Sequence, residues 1–245
     1  MLKKIGNVAL NNPLIIAPMA GVTNAAFREL CLEFGAGLVC CEMVSDKAIY
    51  YKNEKTAKMI DVGCGHPVSL QLFGSDPETM AYATRVLDKE SECDIIDINM
   101  GCPVTKVIKT GAGSALMKNE DLALEIVKSV LDNTSKPVTV KMRLGYDMQH
   151  KNYMSLAKKL EHTGIKAITL HGRTRSQMYE GSANWDDVKI LHENLSIPVI
   201  GNGDIKTPQD ALDMMAYTKC DAVMIGTMGT YWCKNKKGSY WFCGS

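Results

Sequence analysis

Eight short apolar runs recur along the 245-residue chain, amphipathic helical patterns separate them, and several helix starts carry capping residues. Together these predict an α/β fold closed into a (β/α)8 TIM barrel. The runs are Leu14 to Pro18, Leu38 to Val44, Val68 to Phe73, Ile95 to Asn99, Val138 to Met142, Ala167 to Leu170, Val199 to Gly201 and Ala222 to Ile225. A spacing of about 30 residues leaves room for one crossover helix between parallel neighbours, and eight such units favour a closed barrel over a doubly wound sheet.

The helices follow from periodicity and punctuation. Phe27, Leu30, Cys31 and Phe34 are spaced i, i+3, i+4, i+7, with Gly35 as a closing cap. Asp76-Pro77-Glu78 and Thr207-Pro208-Gln209-Asp210 each place a capping side chain before a first-turn proline, and Asn119 precedes Glu120 and Asp121. The stretch from Gly101 to Thr134 holds Gly111, Gly113 and one helical pattern, so the loop after the fourth strand is long, and loops at that face of a barrel commonly carry function. After the eighth run the pattern stops. Residues 227–245 show no helical period and mix glycines with Tyr231, Trp232, Tyr240, Trp241 and Phe242. They read as an irregular tail beside a barrel domain over 1–226, with the closing helix missing.

Composition bounds the function. The chain is 46% apolar and 22% charged, enough for one well-cored domain. Asn7, Asn11, Asn12 and Pro13 interrupt any signal-like core, and Leu14 to Ala20 is too short to cross a bilayer, so no membrane association is expected. Nine cysteines, odd in number and without a C-x-x-C spacing, signal neither a disulfide framework nor a metal site, and a reducing cytoplasm is the natural setting. A net charge of +1 supplies no global pull toward nucleic acid, so such a partner must be held by local patches.

The residues that could carry chemistry cluster at strand ends. They are Gln71 after the third, Asn99 and Cys102 after the fourth, Lys141 and Arg143 on the fifth, His171 and Arg173 after the sixth, and Asn202, Gly203 and Asp204 after the seventh. Gln71 and Lys141 interrupt apolar strands, where an unpaired polar group costs about 1–3 kcal/mol, or more if charged, so each is expected to have a partner. Gly201-Asn-Gly-Asp, with Ile225-Gly226 beyond it, puts flexible backbone where barrel enzymes often bind a phosphate, although the tetrapeptide alone is also an ordinary turn. Cys102 sits in a turn between Gly101 and Pro103. It is open to three readings: inert buried thiol, nucleophile, or general acid. Cys31, Cys40, Cys41 and Cys220 are expected to be inert.

Taken together, Ala17-Pro-Met-Ala-Gly-Val-Thr-Asn, Gln71-Leu-Phe-Gly, Asp97-Ile-Asn-Met-Gly-Cys-Pro, Gly111-Ala-Gly-Ser-Ala-Leu, Val140-Lys-Met-Arg-Leu-Gly, Leu170-His-Gly-Arg-Thr, Gly201-Asn-Gly-Asp-Ile and Val223-Met-Ile-Gly resemble the tRNA-dihydrouridine synthase family, and most closely its bacterial B-type branch. The resemblance spans Leu14 to Gly226. It implies a flavoprotein oxidoreductase that uses FMN, recharged by NADPH, to reduce the C5=C6 bond of uridines in tRNA. By position it implies that Pro18, Met19 and Ala20 line the flavin, that Gln71 and Lys141 hydrogen-bond its polar edge, and that His171, Asn202, Gly203, Asp204 and Gly226 hold its ribityl chain and phosphate. Cys102 would protonate uracil C5, and Asn99 and Arg173 would orient the base. Lys106, Lys109, Arg143 and Arg175 lie on loops of the same face, where they could meet RNA phosphates.

The chain departs from the family pattern in two places. Thr227, Met228 and Gly229 follow Gly226 where the resemblance implies an arginine for the FMN phosphate, and the C-terminal helical domain that the resemblance implies for gripping tRNA is expected to be missing. Two other readings remain at this point: an FMN-dependent dehydrogenase acting on a free pyrimidine, and a truncated, inactive remnant.

Overall fold

The structure, a computed structural model, describes residues 2–63 and 65–226, together with the backbone of 232–234 and 240–242. A small antiparallel hairpin comes first, β1 (Lys4–Ile5) and β2 (Val8–Ala9), turning at Gly6 with φ +58. Gly6 packs so close to Pro137 that an added Cβ would lie 2.8 Å from that ring, and Leu2 N–H donates to Asp221 O at 3.0 Å. The hairpin therefore sits against segments that lead into later strands. Strands of two residues carry too little pattern to be read from sequence.

The barrel strands are β3 (Leu14–Ile16), β4 (Leu38–Cys40), β6 (Val68–Phe73), β7 (Ile95–Met100), β8 (Val138–Arg143), β9 (Ala167–His171), β10 (Val199–Asn202) and β11 (Ala222–Ile225), and β5 (Val44–Ser45) continues the second strand after a break. All eight runs expected to be strands are strands. Every neighbouring pair is parallel, and the ring closes because β4 pairs with both β3 and β6 while β11 pairs with β3. The second strand differs from the continuous run expected: after Cys41 N–H donates to Ser69 O at 2.8 Å, pairing lapses at Glu42 and Met43 and resumes when β5 meets β6.

Outside the ring lie α1 (Ala25–Glu33), α2 (Asp46–Tyr50), α3 (Glu54–Met59), α4 (Pro77–Glu90), α5 (Thr105–Ile108), α6 (Glu120–Leu131), α7 (Tyr153–Glu161), α8 (Trp185–Asn194) and α9 (Pro208–Thr218). The capping signals act as written. Asp76 accepts from Glu78 N–H, Asn119 from Leu122 N–H, and Thr207 and Asp210 form a reciprocal capping box. On α1 the expected apolar face is only partly used. Leu30 is 48% exposed, whereas Arg28 is buried, donating from Nη1 to Thr23 O and from Nη2 to Val62 O. Two carbonyls thus meet the terminal N–H groups of a guanidinium inside the packing, while its buried Nε has no hydrogen-bond partner among the described residues.

Strand alternation divides the sheet into two faces. Leu70, Leu72, Ile96, Ile98, Val140, Met142, Ile168 and Leu170 are fully buried. The positions between them are polar: Ser69, Gln71, Asp97, Asn99, Thr139, Lys141, Arg143, Thr169 and His171. The register sets Gln71 opposite Asp97, Asn99 opposite Lys141, and Arg143 and Asn202 opposite His171. A polar face rising toward the carboxyl ends of the strands is what positions the site. The tail expected at 227–245 lies outside the described residues, except that Trp232–Lys234 (β12) and Tyr240–Phe242 (β13) pair antiparallel.

Candidate active site

A chain of hydrogen bonds runs from the barrel interior to Cys102. Asp97, fully enclosed, accepts from Thr139 Oγ1 and from Gln71 Nε2, both at 2.6 Å. Gln71 Oε1 accepts from Asn99 Nδ2 at 2.7 Å. Asn99 Oδ1 in turn accepts the backbone N–H of Gly101 at 3.0 Å and of Cys102 at 2.8 Å. A carboxylate can only accept, so Asp97 fixes which end of the Gln71 amide faces it, and that choice fixes the Asn99 amide. Asn99, expected to touch the base, has its oxygen committed to the Cys102 turn. From the other side Ser114 clamps the turn, donating from its N–H at 3.1 Å and its Oγ at 2.8 Å to Cys102 O.

The thiol of Cys102 is partly exposed, unlike Cys31, Cys40, Cys41, Cys93 and Cys220, which are buried and free. Burial pushes the Cys102 thiol above its ordinary pKa, against a lowering pull from the Val104 backbone, Arg143 and Lys141. A thiol so placed is protonated near neutral pH. That suits a proton donor better than a nucleophile, which needs a lowered pKa. Chain order left these alternatives open.

Lys141 reaches across the barrel and donates from Nζ to Asn202 Oδ1 at 3.0 Å. Desolvation first, then repulsion from Arg143, pulls its pKa down to about 8, with Asp97, Cys40 and Cys102 acting the other way. Part of its surface remains open at the barrel mouth, but protein surrounds the ammonium closely enough for desolvation to dominate. Asn202 is held by its own Nδ2, which donates to Met224 O at 2.8 Å. His171 is nearly buried and makes no side-chain hydrogen bond among the described residues. Burial, followed by the charges of Lys141, Arg143 and Arg173, pushes its pKa down to about 2, so the imidazole is neutral.

Arg173 and Asp204, expected on the base and on a phosphate, are brought together instead. Arg173 Nη1 lies 2.8 Å from Asp204 Oδ1 and Nη2 donates to Oδ2 at 2.9 Å, while Nε and Nη2 also donate to Glu180 O and Gly181 O. This two-point pair, together with Ala183 N–H donating to Asp204 Oδ2 at 2.7 Å, ties the loop after β9 to the turn after β10. In that turn Gly203 adopts φ +117, and a Cβ there would lie 2.8 Å from Ala183 Cβ and 3.0 Å from His171 Cδ2. Only glycine fits.

After β3, Met19 O accepts from Val22 N–H, Thr23 N–H and Thr23 Oγ1, leaving Met19 buried, Pro18 half-buried and Ala20 exposed. Gly226, at the end of β11, has no atom within 4 Å of where a Cβ would stand.

One expectation is overturned. Arg143, read as a loop cation for phosphates, is 3% exposed and donates to Gly101 O, Thr174 O and Met178 O. It braces the Cys102 turn against the loop after β9. Asp97, Thr139 and Ser114 were not singled out as site residues. An acid within an apolar strand was the available signal for the first, and Ser114 lay inside the resemblance stretch Gly111-Ala-Gly-Ser-Ala-Leu, while nothing in the pattern marked Thr139.

Among the described residues no group of three or more His, Cys, Asp or Glu could hold a metal ion, and no helix is long and apolar enough to cross a membrane.

The barrel resembles solved structures at 14% identity. Histamine dehydrogenase from Rhizobium sp. 4-9 matches with a TM-score of 0.65 over 92% of this chain and 45% of that one. Nitroalkane oxidase from Streptomyces ansochromogenes matches with a TM-score of 0.51 over 89% and 65%. At such identity these likenesses speak for the fold alone. Curated relatives named tRNA-dihydrouridine synthase B are far more similar. The Vibrio vulnificus protein is 48% identical over 91% of this chain and 69% of its own length. That of Shewanella oneidensis is 45% identical over the same shares, and that of Pasteurella multocida 42% over 94% and 70%. The dihydrouridine synthase family model matches residues 15–231. On that match and those identities, the chain belongs to the dihydrouridine synthase family and is an enzyme of that family.

Proposed function

We propose that this chain reduces the C5=C6 bond of uridine within tRNA, with FMN as its bound carrier, NADPH as the electron source and Cys102 as the proton donor. The observation that carries the reading is the Cys102 turn: a thiol kept protonated by burial, at the carboxyl end of a barrel strand, with its backbone fixed from both sides by Asn99 and Ser114.

The residues present fit FMN. Lys141 has one hydrogen-bond acceptor among the described residues for its three N–H donors, His171 is nearly buried without a hydrogen bond to its ring, Gly203 holds a backbone conformation that brings it against His171, and Gly226 opens on free space. A planar cofactor with an anionic edge and a phosphate would give these groups partners. Gln71 and Lys141 would meet its polar edge, Pro18, Met19 and Ala20 its ring, and His171, Asn202, Gly203, Gly226 and the backbone at Asp204, whose carboxylate is held by Arg173, its ribityl chain and phosphate. When bound, FMN supplies hydride chemistry at uracil C6.

The chain's own residues do the rest. Cys102 holds a proton at Sγ for uracil C5, where charge would otherwise develop. Lys141 fixes a positive charge on the barrel axis side of the site, which favours a neighbouring anion. His171 stays neutral and can both donate and accept. Asn99 and Arg173 serve the base by positioning, one through the Cys102 turn and the other through the loop that carries Gly181 and Ala183. A base inside an RNA stack must be turned out to reach this mouth. A cytoplasmic setting belongs to the same proposal, supported by six described cysteines that are all free.

The test is anaerobic. The purified protein should release FMN on heating and bleach with NADPH. The bleached protein should regain its colour with tRNA lacking dihydrouridine, and not with free uridine or another free pyrimidine. Recovery with the free pyrimidine alone would replace this reading with a small-molecule dehydrogenase, and absence of flavin would refute it.

A further inference from the structure

Three loops meet on the rim beside the Cys102 turn, and two of their cations share one aromatic ring. Lys118 ends the 3-10 helix Gly113–Lys118, whose Ser114 clamps Cys102 O. Its Nζ lies 3.6 Å from the centroid of Tyr146, in the loop after β8. Arg175, in the loop after β9, places Cζ 5.1 Å from the same ring, and its Nε is buried with no hydrogen-bond partner. Arg175 N–H donates to Gly145 O and Ser176 N–H to Tyr146 O, both at 2.9 Å, so the two loops are stitched together under the ring.

Neither cation forms an ion pair among the described residues. Asp147, the acid beside Tyr146, is occupied by His150 Nδ1 at 2.7 Å and by the N–H groups of Gln149 and His150. Two positive charges have therefore been gathered without a counter-charge, held by attraction to the face of Tyr146. Their mutual repulsion is relieved by an anion with several acceptor oxygens. The 3-10 helix also sets their distance from the chemistry: from Ser114 to Lys118 the axis advances on the order of 8 Å.

We propose that Lys118, Tyr146 and Arg175 form a clamp for a backbone phosphate of the RNA substrate, next to the uridine presented to Cys102. This rests on the reading of the chain as acting on tRNA. Lys106 and Lys109, exposed on the same long loop as Cys102, extend the basic track. NADPH also carries phosphates. The RNA backbone is the better fit because the clamp grows out of the loop that holds Cys102, so a polymer threaded past the thiol passes it.

The experiment measures tRNA dissociation constants of the FMN-loaded protein by filter binding between 50 and 300 mM KCl. With both cations replaced, Lys118→Ala and Arg175→Ala, the slope of log affinity against log salt should fall by about 0.7–0.9, one phosphate contact's worth. FMN content and the NADPH concentration for half-maximal flavin bleaching should not change. Tyr146→Leu, which keeps both charges but removes the ring, should weaken binding with a smaller change of slope. An unchanged slope in the double variant overturns the clamp, and so does a raised NADPH requirement, which would assign the cations to the reductant. Absence of saturable tRNA binding by the unaltered chain overturns it as well. Binding with the expected slopes but without dihydrouridine formation would overturn the uridine-reduction reading and leave the clamp standing.

Discussion

Replacing Asn99 with alanine removes three N–H···O hydrogen bonds at once, with a weaker one from Nδ2 to Met43 Sδ at 3.6 Å, and their surroundings set the size of the effect. The N–H groups of Gly101 and Cys102 lose their acceptor but lie in a half-exposed turn, where water can substitute, so each loss is worth about 0.5–1 kcal/mol. Gln71 Oε1 loses Asn99 Nδ2 in a site only 1% exposed, where an unsatisfied acceptor costs about 1–3 kcal/mol. The sum is about 2–5 kcal/mol. For a chain of this size each kcal/mol moves the melting temperature by about 2–4 °C, so Asn99→Ala should melt on the order of 5–15 °C lower. A double-mutant cycle separates the parts. Gln71→Leu removes the orphaned acceptor, so the loss from Asn99→Ala should shrink in its presence by about 1 kcal/mol or more. Scanning calorimetry on the four proteins measures it. Additive losses would refute the proposed continuity between the buried Asp97 pair and the Cys102 turn.

Other perturbations follow from the same geometry. His171 has its pKa pushed down to about 2 by burial and neighbouring cations, so below its ordinary value of about 6.5 the unfolded chain takes up a proton that the folded one refuses. The stability it allows is full above pH 6.5 and is lost as pH falls, by about 2 kcal/mol at pH 5. His171→Asn should flatten melting temperature against pH between 7 and 5, and parallel curves would contradict this. Arg143→Ala strands the carbonyls of Gly101, Thr174 and Met178, so limited proteolysis should open the loop at Met178 and Tyr179 first, and an unchanged digestion pattern would count against the bracing role. Arg173→Lys cannot reproduce the two-point contact with Asp204 or reach both Glu180 O and Gly181 O, and should lower melting by several degrees, with a shift under 1 °C arguing against it. Alkylation of Cys102 by iodoacetamide should be slow at pH 7 and rise with an inflection above the ordinary thiol value, since burial raises the pKa. A fast reaction at neutral pH would mark a thiolate.

How far the sequence could be read depended on whether a feature repeats. The eight strands announced themselves because short β-branched and apolar stretches recur about every 30 residues, and α4, α6 and α9 because their caps are local chemistry. The lapse at Glu42 and Met43 was hard to see because Cys41 before it and Val44 after it are both apolar, leaving Glu42 as its one polar mark. Gln71 and Lys141 stood out as polar interruptions, but their partners, Asp97, Asn99 and Asn202, come from other strands and depend on register. Arg143 shows the opposite failure. An arginine at a strand end looks like a solvent cation until three carbonyls from two loops are seen around it. The pairing of Arg173 with Asp204 was equally out of reach, because it joins residues 31 positions apart through a turn held by Gly203.

The proton-donor role of Cys102 is tested most directly by single-turnover reoxidation of the NADPH-reduced protein with tRNA, comparing the unaltered chain with Cys102→Ala and Cys102→Ser. FMN binding and bleaching by NADPH should be the same in all three. Recovery of the oxidised flavin spectrum with tRNA should slow by about 100-fold to 10,000-fold in both variants, because neither alanine nor a hydroxyl can replace the acidity of the thiol. Recovery at the parent rate in either variant would show that the proton reaches C5 from elsewhere.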